Sequence, residues 1–490
     1  MKLAELLRNI PGITIRGDKD TEITGICFDS RKAEKGVLFV AIQGNEDNGE
    51  AYVDSAIAKG AAAVLLSRDS STSTGEAVRV EAENTRYALS LAASNFFGNP
   101  TESIKIIGIT GTNGKTTTVT LLYHLFTDLG YKCGLLSTIE NIINGKVYPA
   151  SHTTPDPIEL NRMLATMCQE GCEYCFMEVS SHSLDQERVA ALKFKGAIFS
   201  NLTHDHLDYH KTFAEYIRCK KLLFDHLDKD AFALINVDDK NGEVMVQNCK
   251  AQICRYSCST PANLNCKIME KTIDGMLLNI DSKDVWTRFI GKHNAYNLLA
   301  VYGTAKLLGA GQDETLLALS NLKPVSGRLE YINSGDNILA VIDYAHTPDA
   351  LENVLTTLKD IAGSKYSIFT VFGCGGDRDK SKRPEMGEIA ARYSDKIFVT
   401  SDNPRSEEPE AIIADIKRGM DIKDMARSLF ITDRTEAIRT AILTAQPGTI
   451  ILVAGKGHET YQIIKGKKSH FDDREVIRDA FEQRKMITER

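Results

Sequence analysis

The sequence has no run of eighteen or more apolar residues, so no segment of it is expected to span a membrane. Its opening stretch, MKLAELLRNIPGITIRGD, lacks an uninterrupted apolar core and carries charge throughout, unlike a secretory signal. Positive charge is not in excess. The formal net charge of −7 argues against nucleic acid as a main partner, while leaving room for a local basic site for a small anion. The eleven cysteines follow no disulfide-framework spacing, which points to free thiols in a reducing cytoplasm. Internal repeats and low-complexity segments are also missing.

What is present is the balance of a soluble globular protein, 42% hydrophobic and 26% charged. At 490 residues the chain exceeds one ordinary core and should split into two to four domains. Residues 1 to about 85 hold the short strands VLFVAIQG and AAAVLLS with the helix YVDSAIAKG between them, a small α/β unit. From Lys105 the pattern restarts with the strand IKIIGIT, a glycine-rich turn and the helix KTTTVTLLYHLFTDLG. That order begins a parallel sheet with helices on its faces. After residue 325 the strands ILAVIDY, SIFTVFG, KIFVTSD, SLFITD and TIILVAG alternate with helices beginning near Pro348, Arg383, Pro409 and Arg434. This predicts a doubly wound sheet, with Thr347 capping a helix whose first position is Pro348. Boundaries fall near 86 and 326, and the charged residues after about 466 read as a closing helix.

The loop Gly111-Thr112-Asn113-Gly114-Lys115-Thr116, followed by Thr117, joins a strand to a helix. Its glycines let backbone N–H groups curl around phosphate oxygens, and the helix N-terminus adds partial positive charge. Lys115 would reach the β- and γ-phosphates, and the Thr116 hydroxyl would hold magnesium. The strict pattern wants glycine six places before the lysine, where Ile109 stands.

Glu178 ends the apolar strand CFMEV just before Ser180-Ser181-His182, where a carboxylate can hold Mg²⁺ or be an ordinary strand-end glutamate. The segment Asn201-Leu202-Thr203-His204-Asp205-His206-Leu207-Asp208-Tyr209-His210 is dense in ligands. It nearly matches a zinc-hydrolase pattern, but Tyr209 displaces His210 by one place, and His204 and His210 read better as surface or capping histidines. In the helix from about Thr212 to Leu227, Phe213, Tyr216, Ile217, Leu223, Phe224 and Leu227 form an apolar stripe with Lys220 in its middle. Spacing alone favours a snorkelling lysine. The alternative is a desolvated amine whose lowered pKa lets it add CO₂ as a carbamate.

Two patterns are discounted. Cys168, Cys172 and Cys175 have the spacing of an iron–sulfur motif but join a helix to a strand inside the nucleotide-binding region. Phe372-Gly373-Cys374-Gly375-Gly376 lacks the register of a dinucleotide turn. The third domain's candidate residues sit at strand C-terminal ends, where open α/β sheets bind ligands. They are Asp343, His346, Gly373 to Arg378, Asp402-Asn403-Pro404-Arg405 and Gly455 to Glu459. Arg378 and Arg405 offer forked donors for carboxylates, and Asp402 and Glu459 could take an ammonium. This suits an amino acid with a second carboxylate at its far end.

In order, the motifs GTNGKTTT, HTTPDP, EVSSHSLDQERV, NLTHDHLDYH, the Lys220 helix, GKHNAYNLLA, GRLEYI, DYAHTPDAL, GCGGDRDKSKRP, DNPRSEEP and GKGHE run the length of the chain. The sequence resembles the Mur ligases, most of all those adding the third residue of the peptidoglycan stem peptide to a UDP-N-acetylmuramoyl dipeptide. The resemblance implies three α/β domains. They are a UDP-sugar-binding N-terminal domain (1–85), a central P-loop ATPase-like domain (86–325) and a C-terminal Rossmann-like, amino-acid-binding domain (326–490).

It also implies an acyl-phosphate mechanism with ATP, Mg²⁺ and a CO₂-derived carbamate on Lys220. Lys115, Lys220 and His206 look catalytic, and Thr116, Glu178, His206 and Lys220 look like the magnesium site. The P-loop residues with Asn294, Arg328 and Asp343 would contact the nucleotide. Phe28, Ser30, Asn45, Glu46, Asp47, Thr153, Thr154, Ser180, Gln186 and Arg188 match the UDP-sugar dipeptide site, and His152 stands where relatives often carry Asn. Arg378, Asp402, Asn403, Pro404, Arg405, Gly455 and Glu459 match the amino-acid site, and the DNPR run resembles the signature for meso-diaminopimelate over L-lysine. The expected partners are these small molecules, with no nucleic acid or membrane insertion, for a cytoplasmic monomer. The rival readings are a folate polyglutamate synthetase-like ligase, a P-loop ATPase switch, and a zinc hydrolase built on His204 and His206.

Overall fold

The structure, a computed structural model, describes residues 1–44, 47–150, 152–203, 207–272, 274–363 and 365–488. The chain divides into two compact units, one of residues 1–264 and 300–315, the other of residues 265–299 and 316–490.

The first unit opens with β1 (Thr14–Arg16), β2 (Gly25–Cys27), β3 (Val37–Val40), β4 (Ala63–Ser67) and β5 (Val78–Ala82). They form one sheet in the order β1-β5-β4-β3-β2, parallel except for β1. Fully buried runs such as Val37 to Val40 mark strands covered on both faces, which explains why they read as continuous apolar stretches.

A second sheet follows from β6 (Lys105–Thr110), β7 (Cys133–Leu136), β8 (Glu140–Ile143), β9 (Lys146–Pro149), β10 (Tyr174–Glu178), β11 (Phe194–Phe199), β12 (Phe232–Asn236) and β13 (Gln252–Ser257). In this unit the order is β13-β12-β11-β6-β10-β7-β8-β9, parallel from β13 to β7. The chain therefore departs to opposite sides of β6, the switch point where such sheets open a ligand crevice at their carboxyl ends. Register places Glu178 opposite Ile109, and Phe199 opposite Thr110, so three strand ends converge beside Gly111.

The second unit contains the antiparallel ladder of β14 (Leu264–Thr272), β15 (Gly275–Ile280) and β16 (Lys283–Thr287). Its main sheet comprises β17 (Glu330–Asn333), β18 (Ile338–Asp343), β19 (Ser367–Phe372), β20 (Lys396–Val399), β21 (Ser428–Phe430) and β22 (Thr449–Ala454). The order is β17-β18-β22-β19-β20-β21, parallel apart from β17. The five expected strands are all here, and the helices between them begin at Pro348, Lys382, Pro409 and Arg434. Thr347 caps the first of these, accepting from the Ala350 amide at 3.4 Å, with Pro348 in the first turn. Separate apolar cores cover the sheet's two faces, one including Leu351, Leu355 and Ile389, the other Ile438, Ile442 and Ile477.

Past residue 460 the structure differs from expectation. A hairpin of β23 (Tyr461–Ile464) and β24 (Lys467–His470) precedes the closing helix Asp473–Thr488. Its residues alternate too weakly in polarity to announce a strand pair. Among the described residues, no helix is long and apolar enough to cross a membrane.

Candidate functional site

The phosphate loop is set by backbone geometry. Gly111 adopts φ +151°, and a Cβ there would lie 2.0 Å from the Ser200 hydroxyl. Only glycine allows the loop to pass so close to the end of β11. Gly114, at φ +86°, is the cap residue from which the helix Lys115–Asp128 starts. Asn201 fixes the loop by accepting from the Asn113 amide at 2.9 Å and donating to the Asn113 carbonyl at 3.0 Å. Lys115 folds back along the loop, its ammonium donating to the carbonyls of Gly111 at 2.9 Å and Thr112 at 2.8 Å.

Lys220 does not snorkel. It lies on the helix Phe213–Asp225, is 1% exposed, and donates to the same Gly111 carbonyl at 2.8 Å. Its ammonium also lies 4.6 Å from the centre of the Tyr216 ring. The Tyr216 hydroxyl in turn meets the Thr112 hydroxyl at 3.2 Å, so the lysine's helix is tied to the loop at two points. The snorkelling expectation failed because its stripe faces the phosphate loop rather than solvent.

Glu178 is 1% exposed, and one carboxylate oxygen accepts from the Thr138 amide at 2.8 Å. Thr116 is also buried, so a carboxylate and a hydroxyl of the expected magnesium set sit at the carboxyl edge of one sheet. His204 and His206, the expected rival zinc pair, and with them His206 as an expected magnesium-site residue, lie outside the described residues. His210 is buried rather than on the surface, with Nε2 2.9 Å from the Ser181 hydroxyl.

From Glu178 a polar chain leads outward. Thr154 donates to the Glu178 carbonyl at 2.8 Å, and its own carbonyl accepts from Arg188 at 2.9 Å. Arg188 grips the Gln186 side-chain oxygen at 2.7 Å, Gln186 donates to Tyr209 at 3.1 Å, and Tyr209 donates to Asp185 at 2.8 Å. Burial, with Arg86 adding to it, draws the Arg188 guanidinium below its ordinary pKa. Ser180 donates its amide to Thr154, and Thr153 accepts from Thr138 at 3.0 Å.

Phe28, Arg86, His152, Gln186 and Arg188 line a cavity of about 200 Å³. A second, of about 550 Å³, shares Arg86 and Gln186 and reaches Gln43 and Asn84. Six of the expected dipeptide-site positions thus belong to one connected region: Phe28, Thr153, Thr154, Ser180, Gln186 and Arg188. Ser30 is buried beside the Asp29 cap and takes no part in either lining, and Asp47 is exposed. Asn45 and Glu46 lie outside the described residues. Sequence reading gave Arg86 no role, since a lone arginine at a helix start carries no local signal.

In the second unit, Asp343 ends β18 and accepts from the amides of Leu329 and Ala345, both at 2.8 Å. Burial raises its pKa while nearby Arg328 opposes the shift. The Arg328 guanidinium lies 4.8 Å from the Tyr344 ring, which the His346 and His458 rings flank at 4.6 and 4.9 Å. Burial, then the Arg328 and Arg474 charges, pull His458 down to about 4. Asn294 is buried, donating to the Ile290 carbonyl at 2.9 Å and accepting from Asn297 at 3.0 Å.

The amino-acid candidates also converge, with one correction. Asp402 and Glu459, expected to be open to an ammonium, already share one. Lys456, fully buried, places its ammonium 3.4 Å from each carboxylate and 3.1 Å from the Asn403 side-chain oxygen. Sequence reading missed this because Lys456 is 54 residues from Asp402. Asn403 also donates to Glu459 at 2.8 Å. Burial, then the neighbouring Asp402 charge, raise the Glu459 carboxyl. Gly455 lies against Asp402, its would-be Cβ 3.5 Å from a carboxylate oxygen. Arg405, half-buried at φ +53°, donates to the Gly376 carbonyl at 2.7 Å, whereas Arg378 is exposed. A Cβ on Gly376 would fall 1.9 Å from the Pro404 carbonyl, so the glycine-rich turn serves close packing against this loop.

Cys168, Cys172 and Cys175 are free thiols whose pKa values burial raises, the reverse of what thiolate ligands need.

Three family models match the chain. They are "Mur ligase family, catalytic domain" over residues 22–97, "Mur ligase middle domain" over 109–305 and "Mur ligase, glutamate ligase domain" over 327–457. A protein of Cytophaga hutchinsonii named UDP-N-acetylmuramoyl-L-alanyl-D-glutamate–2,6-diaminopimelate ligase is 50% identical over 98% of this chain and 99% of its own. One of the same name from Bacteroides thetaiotaomicron is 50% identical over 98% of this chain and 100% of its own. A solved structure titled with that enzyme name superposes with a TM-score of 0.71, at 33% identity, covering 99% of both chains. A folylpolyglutamate synthase from Mycobacterium tuberculosis, complexed with ADP and AMPPCP, shares the fold at TM-score 0.62 and 19% identity, over 75% of this chain and 92% of that one.

Proposed function

This chain belongs to the Mur ligase family, and from that premise we propose that it joins meso-diaminopimelate to UDP-N-acetylmuramoyl-L-alanyl-D-glutamate at the expense of ATP. The name carried by relatives that are 50% identical over nearly their full lengths supports the reaction. The observation that carries it here is that one chain holds both a phosphate loop flanked by buried Glu178 and Lys220 and, in its second unit, a cluster of Asp402, Lys456 and Glu459 with Arg405 on the same loop as Asp402.

ATP phosphorylates the D-glutamate side-chain carboxylate, the incoming amine attacks the acyl phosphate, and phosphate leaves the tetrahedral intermediate. Lys115 exchanges its two loop carbonyls for phosphate oxygens and offsets the charge that develops on them. Buried Thr116 and Glu178 present a hydroxyl and a carboxylate, the oxygen donors that magnesium prefers. When bound, Mg²⁺ supplies Lewis-acid neutralisation of the transferring phosphoryl group. Lys220, once neutral, can add CO₂ and release a proton, turning a buried cation into an anion beside the loop. Thr154, Gln186 and Arg188 hold the nucleotide-sugar dipeptide, with Phe28 as an apolar wall. Asn294, Arg328 and Asp343 serve the nucleotide.

Residues 1–85, 86–325 and 326–490 act as the three substrate-binding domains of a cytoplasmic monomer. Arg405 meets the distal carboxylate that L-lysine lacks, which favours diaminopimelate.

The test is phosphate release with ATP, Mg²⁺ and the dipeptide, with meso-diaminopimelate or L-lysine in parallel. Release and tripeptide product with diaminopimelate alone support the reading. Product with lysine instead retains the ligase and discards the specificity. Release that depends on neither amino acid returns an ATPase switch.

A further inference from the structure

Lys456 is 0% exposed, yet its ammonium touches two of the acids expected to receive substrate. It also fixes a third group. The Asn403 side-chain oxygen accepts from both Lys456 at 3.1 Å and the Ile463 amide at 3.0 Å, which turns the Asn403 NH₂ towards Glu459. The carbonyl of Asp402 is held from behind by Gln462 at 2.8 Å. The other buried cation nearby, Arg434, is bonded to Asp473 at 2.8 Å. The acidic pair and Lys456 therefore sum to one net negative charge, and Arg405, three residues after Asp402 and bonded to the Gly376 carbonyl at 2.7 Å, is a separate positive group.

Building on the ligase reading above, we propose that Lys456 is a positioning residue that cancels one of the two pocket carboxylates, so that the pocket matches an amino acid whose far end carries one ammonium and one carboxylate. With Lys456 in place, one negative and one positive charge face that zwitterion. Without it, two carboxylates would face it, and a side chain ending in a lone ammonium would be the better match. Its orientation of Asn403 adds a donor in fixed geometry, which a free asparagine would not keep.

The experiment compares full-length wild type, Lys456→Gln and Lys456→Arg by ADP release at varied meso-diaminopimelate and L-lysine, with KM for ATP and for the dipeptide measured alongside. Lys456→Gln should raise KM for diaminopimelate at least tenfold while leaving the other two within twofold. The diaminopimelate-to-lysine ratio of kcat/KM should fall at least tenfold, and Lys456→Arg should keep that ratio near wild type. A ratio unchanged in Lys456→Gln, or a parallel rise in all three KM values, would overturn the proposal. If Lys456→Gln does not fold, Lys456→Arg decides: a ratio that collapses despite the retained charge also overturns it. Wild type whose ADP release ignores both amino acids overturns the ligase reading and this proposal together, an outcome distinct from the others.

Discussion

The ammonium groups of Lys115 and Lys220 donate to one carbonyl oxygen, that of Gly111, at 2.9 and 2.8 Å. Two cations on one acceptor repel each other. Carbamate formation would replace repulsion with attraction and leave Lys115 drawn to the loop. We therefore expect ¹³C-bicarbonate to give a protein carbamate resonance that Lys220→Arg lacks. That variant should lose about 10²-fold or more in kcat, the scale of removing one charge-stabilising group. Full turnover in Lys220→Arg would show that the anion is not needed.

Glu178→Gln separates metal binding from folding. A glutamine oxygen can still accept from the Thr138 amide, so the strand end should hold. The lost charge should raise the Mg²⁺ concentration for half-maximal turnover about tenfold, in line with about 1.4 kcal/mol of weakened binding. KM for the amino acid should not change. An unaltered Mg²⁺ titration would remove Glu178 from the metal site.

His458 predicts a pH dependence of stability. Its folded pKa is about 4, below the ordinary histidine value, so the unfolded chain takes up the proton first as pH falls. The contribution is complete above about pH 6.5 and is lost as pH drops towards 4, at about 1.4 kcal/mol per unit for this one group. Urea midpoints at pH 7.5, 6 and 5 should fall more steeply for wild type than for His458→Gln. Equal slopes would mean that the imidazole takes up its proton at the same pH in the folded and unfolded chain.

The parallel strands and the phosphate loop were legible because their signals are local: an apolar run, then glycine, then a helix start. Motif order named Thr154, Gln186 and Arg188, which the fold joins through hydrogen bonds although they are up to 34 residues apart. Lys220 was less legible, since an amphipathic stripe does not reveal what faces it, and its acceptor lies 109 residues away. The same reason hid the Lys456 ammonium between Asp402 and Glu459. A motif marks residue types at strand ends, but the net charge of a pocket depends on pairings across several strands.

A buried ion pair lies behind Ser401 and Ala454. Arg434 and Asp473 are both fully buried and joined by two bonds of 2.8 Å. The same guanidinium donates to the Ala454 carbonyl at 3.0 Å and reaches the Ser401 carbonyl at 3.5 Å, the residues just before Gly455 and Asp402. It therefore ties together the two strand ends that carry Asp402 and Gly455, the proposed amino-acid-site residues. Asp473→Asn leaves a buried guanidinium without its counter-charge and should destabilise the protein by about 3–5 kcal/mol, read as a lower urea midpoint. Arg434→Met with Asp473→Leu removes both charges and should recover most of that stability. The double variant should still raise KM for the amino acid, because the clamp on Ser401 and Ala454 is gone. If stability and KM both return to wild type, the pair serves the core alone and does not position the site.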